Sequence, residues 1–432
     1  MTRVPGVVSR RAEREAGRRR IALVLAGGAA RGAYEVGVLD YLVNDIGRAL
    51  GRPIPIDILC GTSVGAINAC AMAAFADDHA VAVQKLIQQW ETLRVSHVVR
   101  LDTSEVFAVL RGMLGKRPAT DGGILDPTGL QRIVATAIPF SRISENIAAG
   151  NVEAVTVSTT HVATGRTMVF VQNASGSLPY WGKDDTIVAR ATVLTAAHAL
   201  ASAAIPFVFP AVPIDGELHC DGGLRQNVPL SPARRLGADG MIVISPRYLG
   251  HLEEGEAIDG ASAEPVHPGD PLFLLGKTLN ALMLDRIDND IDRLQRMTAV
   301  MEAGMRVYGP DFVERLNREM GRSGERLVRP IQAVLVRTSV DISRLAAEFV
   351  RSPAFDSRAS GMVARLMKRL ADGAGRRGSD LLSYLLFDGE FARQLIDAGR
   401  ADARARHEEL CGFFQKLDTT MPAAWRAPSA AR

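Results

Sequence analysis

Ile56-Asp57-Ile58-Leu59-Cys60-Gly61-Thr62-Ser63-Val64-Gly65-Ala66 decides the fold. An apolar, β-prone run over Ile56–Cys60 passes through Gly-x-Ser-x-Gly into small residues that read as a helix to about Phe75. The spacing has a steric reason. A sharp strand-to-helix turn strains the residue at its apex, Gly61 and Gly65 leave room for the backbone to pass closely, and the Ser63 hydroxyl is held out at the top of a sheet. A serine so placed sits at a helix N-terminus, where unpaired N–H groups and the helix dipole favour a developing oxyanion. These residues predict a nucleophile, and with it a serine acyl hydrolase.

Upstream, Leu23-Val24-Leu25-Ala26-Gly27-Gly28-Ala29-Ala30-Arg31-Gly32 repeats the pattern of strand, glycines and helix, and its loop amides are candidates for the rest of an oxyanion hole. Gly32–Leu50 has helical apolar spacing, and Val81–Leu93 predicts another helix. The order strand–helix–strand–helix over the first hundred residues points to a parallel α/β sheet. Val152–Thr160 and Thr167–Gln172 read as a hairpin around Gly165. Val188–Ala204 reads as a helix of small residues, and Glu217–Cys220 as a short strand ending at Asp221-Gly222-Gly223. Met241–Ser245 reads as a buried strand. Arg111–Pro127 and His251–Asp270 have loop composition. Amphipathic helices follow from Pro271 to about Gly321 and from Ser343 onward, with a strand candidate at Ile331–Arg337. Apolar residues between Leu381 and Leu395 fall at helical spacing and predict a face packed on the core or on a partner.

The 432 residues, 47% hydrophobic and 23% charged, suffice for a large core. The net charge of +3 is unevenly placed. Seven arginines against Glu13 and Glu15 give residues 1–20 a charge of +5 and leave −2 on the remainder, so the basic charge sits on an arm. Ile21–Ala26 is too short for the apolar stretch of a signal peptide, and Ala191–Val212 is broken by His198, Pro206 and Pro210. Cys60, Cys70, Cys220 and Cys411 show neither metal-ligand spacing nor a disulfide framework. A soluble protein of a reducing compartment, cytoplasmic with peripheral membrane contact through the arm, is the expectation. No metal or cofactor is expected.

Three separated elements together resemble the bacterial patatin-like phospholipases: the glycine loop with its basic residue (Gly27, Gly28, Arg31, Gly32), the elbow Gly61-Thr62-Ser63-Val64-Gly65, and Asp221-Gly222-Gly223. The likeness covers roughly residues 21–340. It implies a three-layer α/β/α core with a mostly parallel sheet, a Ser63–Asp221 dyad with Asp221 as general base, and hydrolysis of fatty acyl esters of (lyso)phospholipids through an acyl-enzyme. Gly27, Gly28, Ala29 and Val64 are the expected oxyanion donors, with Arg31, Gly32, Gly61, Gly65, Gly222 and Gly223 supporting the motifs. Ala29 stands where the family has a third glycine. Alanine keeps its N–H, so the hole is expected to survive with Ala29 at ordinary backbone angles. An aspartate at its reference pKa of about 3.9 is a weak base for a serine, so Asp221 has to sit in a shielded cleft. His198 and His219 are read as packed or surface histidines. Arg31 has three readings: it orients the glycine loop, meets a lipid phosphate, or is a plain surface arginine.

The organisation implied is a basic disordered arm (1–20), a hydrolase core (21–340), a helical extension packed on it (341–418) and a disordered tail (419–432). The expected partners are a lipid substrate and an anionic membrane surface, with no nucleic acid. A thioesterase or small-ester carboxylesterase fits the same nucleophile, and an inactive lipid-binding regulator fits the long helical extension. A dinucleotide-binding protein does not fit, because Gly-x-Gly-x-x-Gly fails at Ala29 and the second strand ends in no ribose-binding acid.

Overall fold

A computed structural model describes residues 19–98, 125–179, 181, 186–248, 287–321, 328–372 and 380–418. Most of the basic arm, the Arg111–Pro127 loop as far as residue 124, the His251–Asp270 loop, 271–286 and the 419–432 tail lie outside them. Strand β1 (Ile21–Leu25) leads through a 3-10 turn into helix α1 (Gly32–Asp40), which continues through a π-helical stretch at Tyr41–Ile46. Strand β2 (Ile58–Thr62) gives α2 (Val64–Ala74), then α3 (His79–Thr92), α4 (Thr128–Ala137) and α5 (Ser141–Ala149). The hairpin β3 (Ala154–His161) and β4 (Thr167–Asn173) precedes β5 (Ile187–Ala191), α6 (Ala196–Ser202), β6 (Val212–Ile214) and β7 (Glu217–Asp221). After α7 (Leu230–Arg235) and β8 (Gly240–Ser245) come α8 (Ile287–Tyr308), α9 (Phe312–Glu319) and β9 (Gln332–Arg337). The helical region holds α10 (Ile342–Val350), α11 (Gly361–Asp372), α12 (Asp380–Leu385), α13 (Gly389–Ala405) and α14 (His407–Leu417).

The strands form one sheet in the order β5-β4-β3-β2-β1-β8-β9, mostly parallel, with β7 on β3 and β6 on β7. Alternate residues of β1 enter two separate cores, as the two-residue strand period requires. Ile21, Leu23 and Leu25 join the larger one with α1, α2 and the C-terminal helices, while Ala22 and Val24 face α7 and the start of α8. Both faces are therefore covered, which is the three-layer α/β/α arrangement, and the central strands are apolar throughout because neither face meets water.

One reading of an element from the sequence fails. Val188–Ala204 is not a single helix: Ile187–Ala191 is strand β5, added parallel to β4, and helix begins only at Ala196. Thr195 caps that helix reciprocally with His198, and its extended backbone ends what precedes it. Arg20, assigned to the arm, is tied into the fold. Its N–H donates to Asp239 at 2.8 Å, and its guanidinium pairs with Glu153 at 2.8 Å.

The C-terminal helices are knit onto α1. A Cβ at Gly37 would overlap the Ile396 carbonyl, and one at Gly399 the Tyr34 carbonyl, so two glycines let α1 and α13 cross at backbone contact. Tyr34 donates its hydroxyl to Asp402 at 3.0 Å, and Arg400 reaches Asp40 at 2.6 Å across the same contact. The apolar face expected around Leu381–Leu395 is buried here: Leu382, Leu386, Phe391 and Leu395 are each no more than 1% exposed.

Candidate active site

Strand register builds the site. β2 runs parallel to β3 with Thr62 opposite Ser158, and β7 runs antiparallel to β3 with Asp221 opposite Thr159. The other edge of β3 is taken by β4. So β2 and β7 meet end to end on one edge of β3, with Ser63 and Asp221 at the junction. The Ser63 hydroxyl donates to Asp221 Oδ2 at 2.7 Å.

Ser63 holds the elbow at φ 54°, ψ −127°, a strained conformation that costs on the order of 1–3 kcal/mol unless its surroundings enforce it. They do. A Cβ at Gly61 would overlap the Gly65 carbonyl, and one at Gly65 would press on the carbonyls of Leu25 and Ala26, so the turn is wedged between β1 and its own helix. The Ser63 N–H donates to Ser202 Oγ at 2.8 Å, and Ser202 donates to the Ser158 carbonyl at 2.6 Å, which ties the elbow to β3 through α6. Asp221 is fixed as firmly. Its Oδ1 accepts from the Gly223 N–H at 2.7 Å, its carbonyl accepts from Thr160 Oγ1 at 2.9 Å, and its N–H donates to the Ala204 carbonyl at 2.9 Å. Burial raises the Asp221 carboxyl to about 7, against the lowering pull of the Ser63 and Gly223 hydrogen bonds. A base near neutrality is far better matched to a serine hydroxyl than an ordinary aspartate.

The glycine loop departs from expectation at two residues. The Gly27 N–H donates to the Asn227 carbonyl at 3.0 Å, so it is already committed, while Gly28 and Ala29 stand at the start of a 3-10 turn and Val64 at the start of α2. Ala29 sits at φ 48°, in the left-handed region and not at the ordinary angles expected of it, which is why glycine suits this position. Gly32 packs against the Val64 side chain, closing the loop on the elbow, and Gly222 fits under the Ser158 carbonyl.

Arg31 is buried and makes no surface contact. Its Nε donates to Ser383 Oγ at 2.9 Å and a terminal nitrogen to Ser343 Oγ at 3.0 Å. Asp380 lies 3.6 Å away, and the guanidinium stacks 4.2 Å from the centre of the Tyr384 ring. The side chain therefore anchors the glycine loop to α10 and α12.

Both histidines are packing residues. His198 caps its own helix and meets the Phe170 ring edge-on at 4.7 Å, and His219 bonds Thr159 at 3.0 Å. Burial lowers each to about 4, so they stay neutral. Sequence reading missed Ser202 and Asn227. Ser202 is one serine in an alanine-rich helix, and Asn227 stands six residues past Asp221 with no motif around it. Each reaches the elbow or the glycine loop through a contact more than a hundred residues away in the chain.

Residues 23–234 match the family model described as patatin-like phospholipase. The solved structure of the heterodimeric complex ExoU-SpcU from the type III secretion system of Pseudomonas aeruginosa is similar at 16% identity, over 93% of this chain and 78% of that one, with a TM-score of 0.22. No curated protein matches the chain.

Proposed function

The chain carries a patatin-like phospholipase domain over residues 23–234, and from that premise we propose that it hydrolyses fatty acyl esters of phospholipids or lysophospholipids, with Ser63 as nucleophile and Asp221 as general base. The observation that carries this reading is the 2.7 Å hydrogen bond from Ser63, on its strained elbow, to a fully buried carboxylate.

In the first step Asp221 accepts the hydroxyl proton as Ser63 Oγ bonds to the ester carbonyl carbon. The carbonyl oxygen becomes an oxyanion, facing the amides of Gly28, Ala29 and Val64. Collapse of this intermediate breaks the bond to the alcohol, and Asp221 returns the proton to that leaving oxygen. The product is an acyl-serine and a free alcohol or lysolipid. Water then takes the place of Ser63: it gives a proton to Asp221, adds to the acyl carbon, and releases the fatty acid as Ser63 recovers its hydrogen.

Ser63→Ala is expected to abolish fatty-acid release from phospholipid vesicles and labelling by a fluorophosphonate. Asp221→Asn is expected to keep the fold and lose at least about a hundredfold in kcat, since an amide cannot accept the proton. Single substitution of each of the eight histidines should leave substantial activity. A correctly folded histidine variant as inactive as Ser63→Ala would overturn the assignment of Asp221. The basic arm is read as a weak, salt-sensitive anchor for anionic membranes, each arginine contributing on the order of 1 kcal/mol before screening. No helix among the described residues is long and apolar enough to cross a membrane. Deleting residues 1–18 should weaken sedimentation with anionic vesicles at low salt, and equal sedimentation of both forms refutes the anchor.

A further inference from the structure

The glycine loop, the elbow and the Asp221 loop converge on Asn227. Gln226, just before it, is tied to two of the three. The Gln226 N–H donates to the Gly222 carbonyl at 2.9 Å, and its carbonyl accepts from Thr62 Oγ1, one residue before Ser63, at 3.0 Å. Asn227 then holds Gly27 by both of its backbone groups. The Asn227 carbonyl accepts from the Gly27 N–H at 3.0 Å, and Nδ2 donates to the Gly27 carbonyl at 3.4 Å. The glycine loop is thus fastened to the segment that follows Asp221.

Two motif glycines are shaped around this one side chain. A Cβ at Gly27 would lie 2.2 Å from Asn227 Oδ1 and 3.1 Å from Ser63 Cβ. A Cβ at Gly223 would lie 3.0 Å from the same Oδ1 and 3.0 Å from Asp221 Oδ1. The carboxamide oxygen therefore fills the gap between the glycine loop and the Asp221 loop, close beside Ser63. It is buried, and no donor among the described residues reaches it. An apolar side chain would fill that gap without leaving an acceptor unpaired. What the carboxamide adds is its other end, the Nδ2 on the Gly27 carbonyl. The reverse orientation would set two carbonyl oxygens against each other.

We propose that Asn227 is a positioning residue for the reaction at Ser63: it fixes the height of the glycine loop over the nucleophile, and so where the oxyanion meets the loop amides. The proposal rests on the reading of Ser63 as nucleophile with the loop as its oxyanion site, and adds the side chain that keeps the two in register. A displaced loop weakens hydrogen bonds that reach full strength only when charge develops on the carbonyl oxygen, so the loss falls on kcat and spares KM.

Asn227→Ala keeps the backbone bond to Gly27 and removes the side chain. In folded protein it is expected to lower kcat by about tenfold to a hundredfold, with KM changed less than about threefold. Affinity for a long-chain trifluoromethyl ketone should fall by a similar factor. There Ser63 Oγ bonds to the carbonyl carbon, the hydroxyl proton passes to Asp221, and the ketone oxygen is left as an anion against the loop. A side chain that only packs would lower the melting temperature and leave both readouts unmoved. Asn227→Asp keeps the shape, cannot donate to Gly27 once ionised, and serves if the alanine variant does not fold; at pH 9 it should show the same loss. A folded variant of either kind with the kcat and ketone affinity of the unsubstituted protein, or with its loss carried by KM alone, overturns the proposal while the unsubstituted protein still labels with fluorophosphonate. An unsubstituted protein that neither labels nor hydrolyses overturns the nucleophile reading, and the proposal with it.

Discussion

In the proposed role of general base, Asp221 has to be ionised to take a proton from Ser63, and its surroundings make ionisation costly. Burial raises its pKa from 3.8 to about 7. A carboxyl raised in the folded state adds stability that is complete below the unfolded value and is lost as pH rises through the folded one. Two outcomes follow from that sign. The pH profile of kcat/KM should rise through an acidic limb near pH 7, and a flat profile between pH 5 and 9 means another group is the base. Asp221→Asn, which cannot ionise, should melt higher than the wild type by a margin that grows between pH 5 and pH 8.5, even though it is inactive at both. Ala29 is the second residue under tension. At φ 48° an alanine is disfavoured by about 1–2 kcal/mol, and part of that returns as lower unfolded-state entropy. Ala29→Gly should therefore stabilise by on the order of 0.5–1 kcal/mol, read as a raised midpoint in urea with an unchanged slope. A lowered midpoint would show that the loop enforces this angle without strain.

At the scale of elements, β3 is the ruler for the site, because β2 and β7 end against neighbouring positions on the same edge of it. The sequence made the elbow, the glycine loop and Asp221-Gly222-Gly223 legible, since each is a local backbone requirement written in glycines. It also located β1, β2, β3, β4, β7, β8 and β9, whose residues alternate or run apolar. What it could not display was pairing. That β7 caps the edge vacated by β2 depends on residues about 60 apart meeting, and no local pattern encodes it. The β5 error has a similar cause: Ile187–Ala191 is half-buried at an edge, so its composition lacks a buried strand's apolar run and merges with the alanines of α6. Ser202, the tie between α6 and the elbow, is the residue-level expression of this pairing. Ser202→Ala strands the buried Ser63 N–H, for about 1–3 kcal/mol of stability. It should lower kcat more than it raises KM, because the elbow matters most when the oxyanion forms. Equal kcat in a folded Ser202→Ala protein would show that the glycines alone hold the turn.

Across the whole molecule, the glycine loop and the C-terminal helices form one mechanical unit. Arg31 stands one residue before α1 and reaches Ser343, Asp380, Ser383 and Tyr384, all contributed by chain beyond residue 340. α1 itself is pressed against α13 through Gly37 and Gly399. The matched family region, residues 23–234, thus omits the partners of its own loop arginine. Arg31→Lys is not conservative here, because an ammonium cannot make the forked contacts to two serines while stacking on a ring. Removing the guanidinium with Arg31→Ala leaves Asp380 and the two hydroxyls without it, for about 2–4 kcal/mol of lost stability. Ending the chain at residue 340 goes further: it uncovers α1 and strips Arg31 of all four partners. That protein is expected to be largely insoluble, with any soluble fraction labelling poorly with fluorophosphonate because the loop amides are no longer held toward the elbow. Ser383→Ala separates anchoring from bulk stability. It removes a 2.9 Å and a 2.6 Å contact to Arg31 while leaving the helices in place, and should depress kcat with KM nearly unchanged. A protein ending at 340 that stays soluble, melts at the wild-type temperature and hydrolyses normally would show that the loop holds its shape without the C-terminal helices.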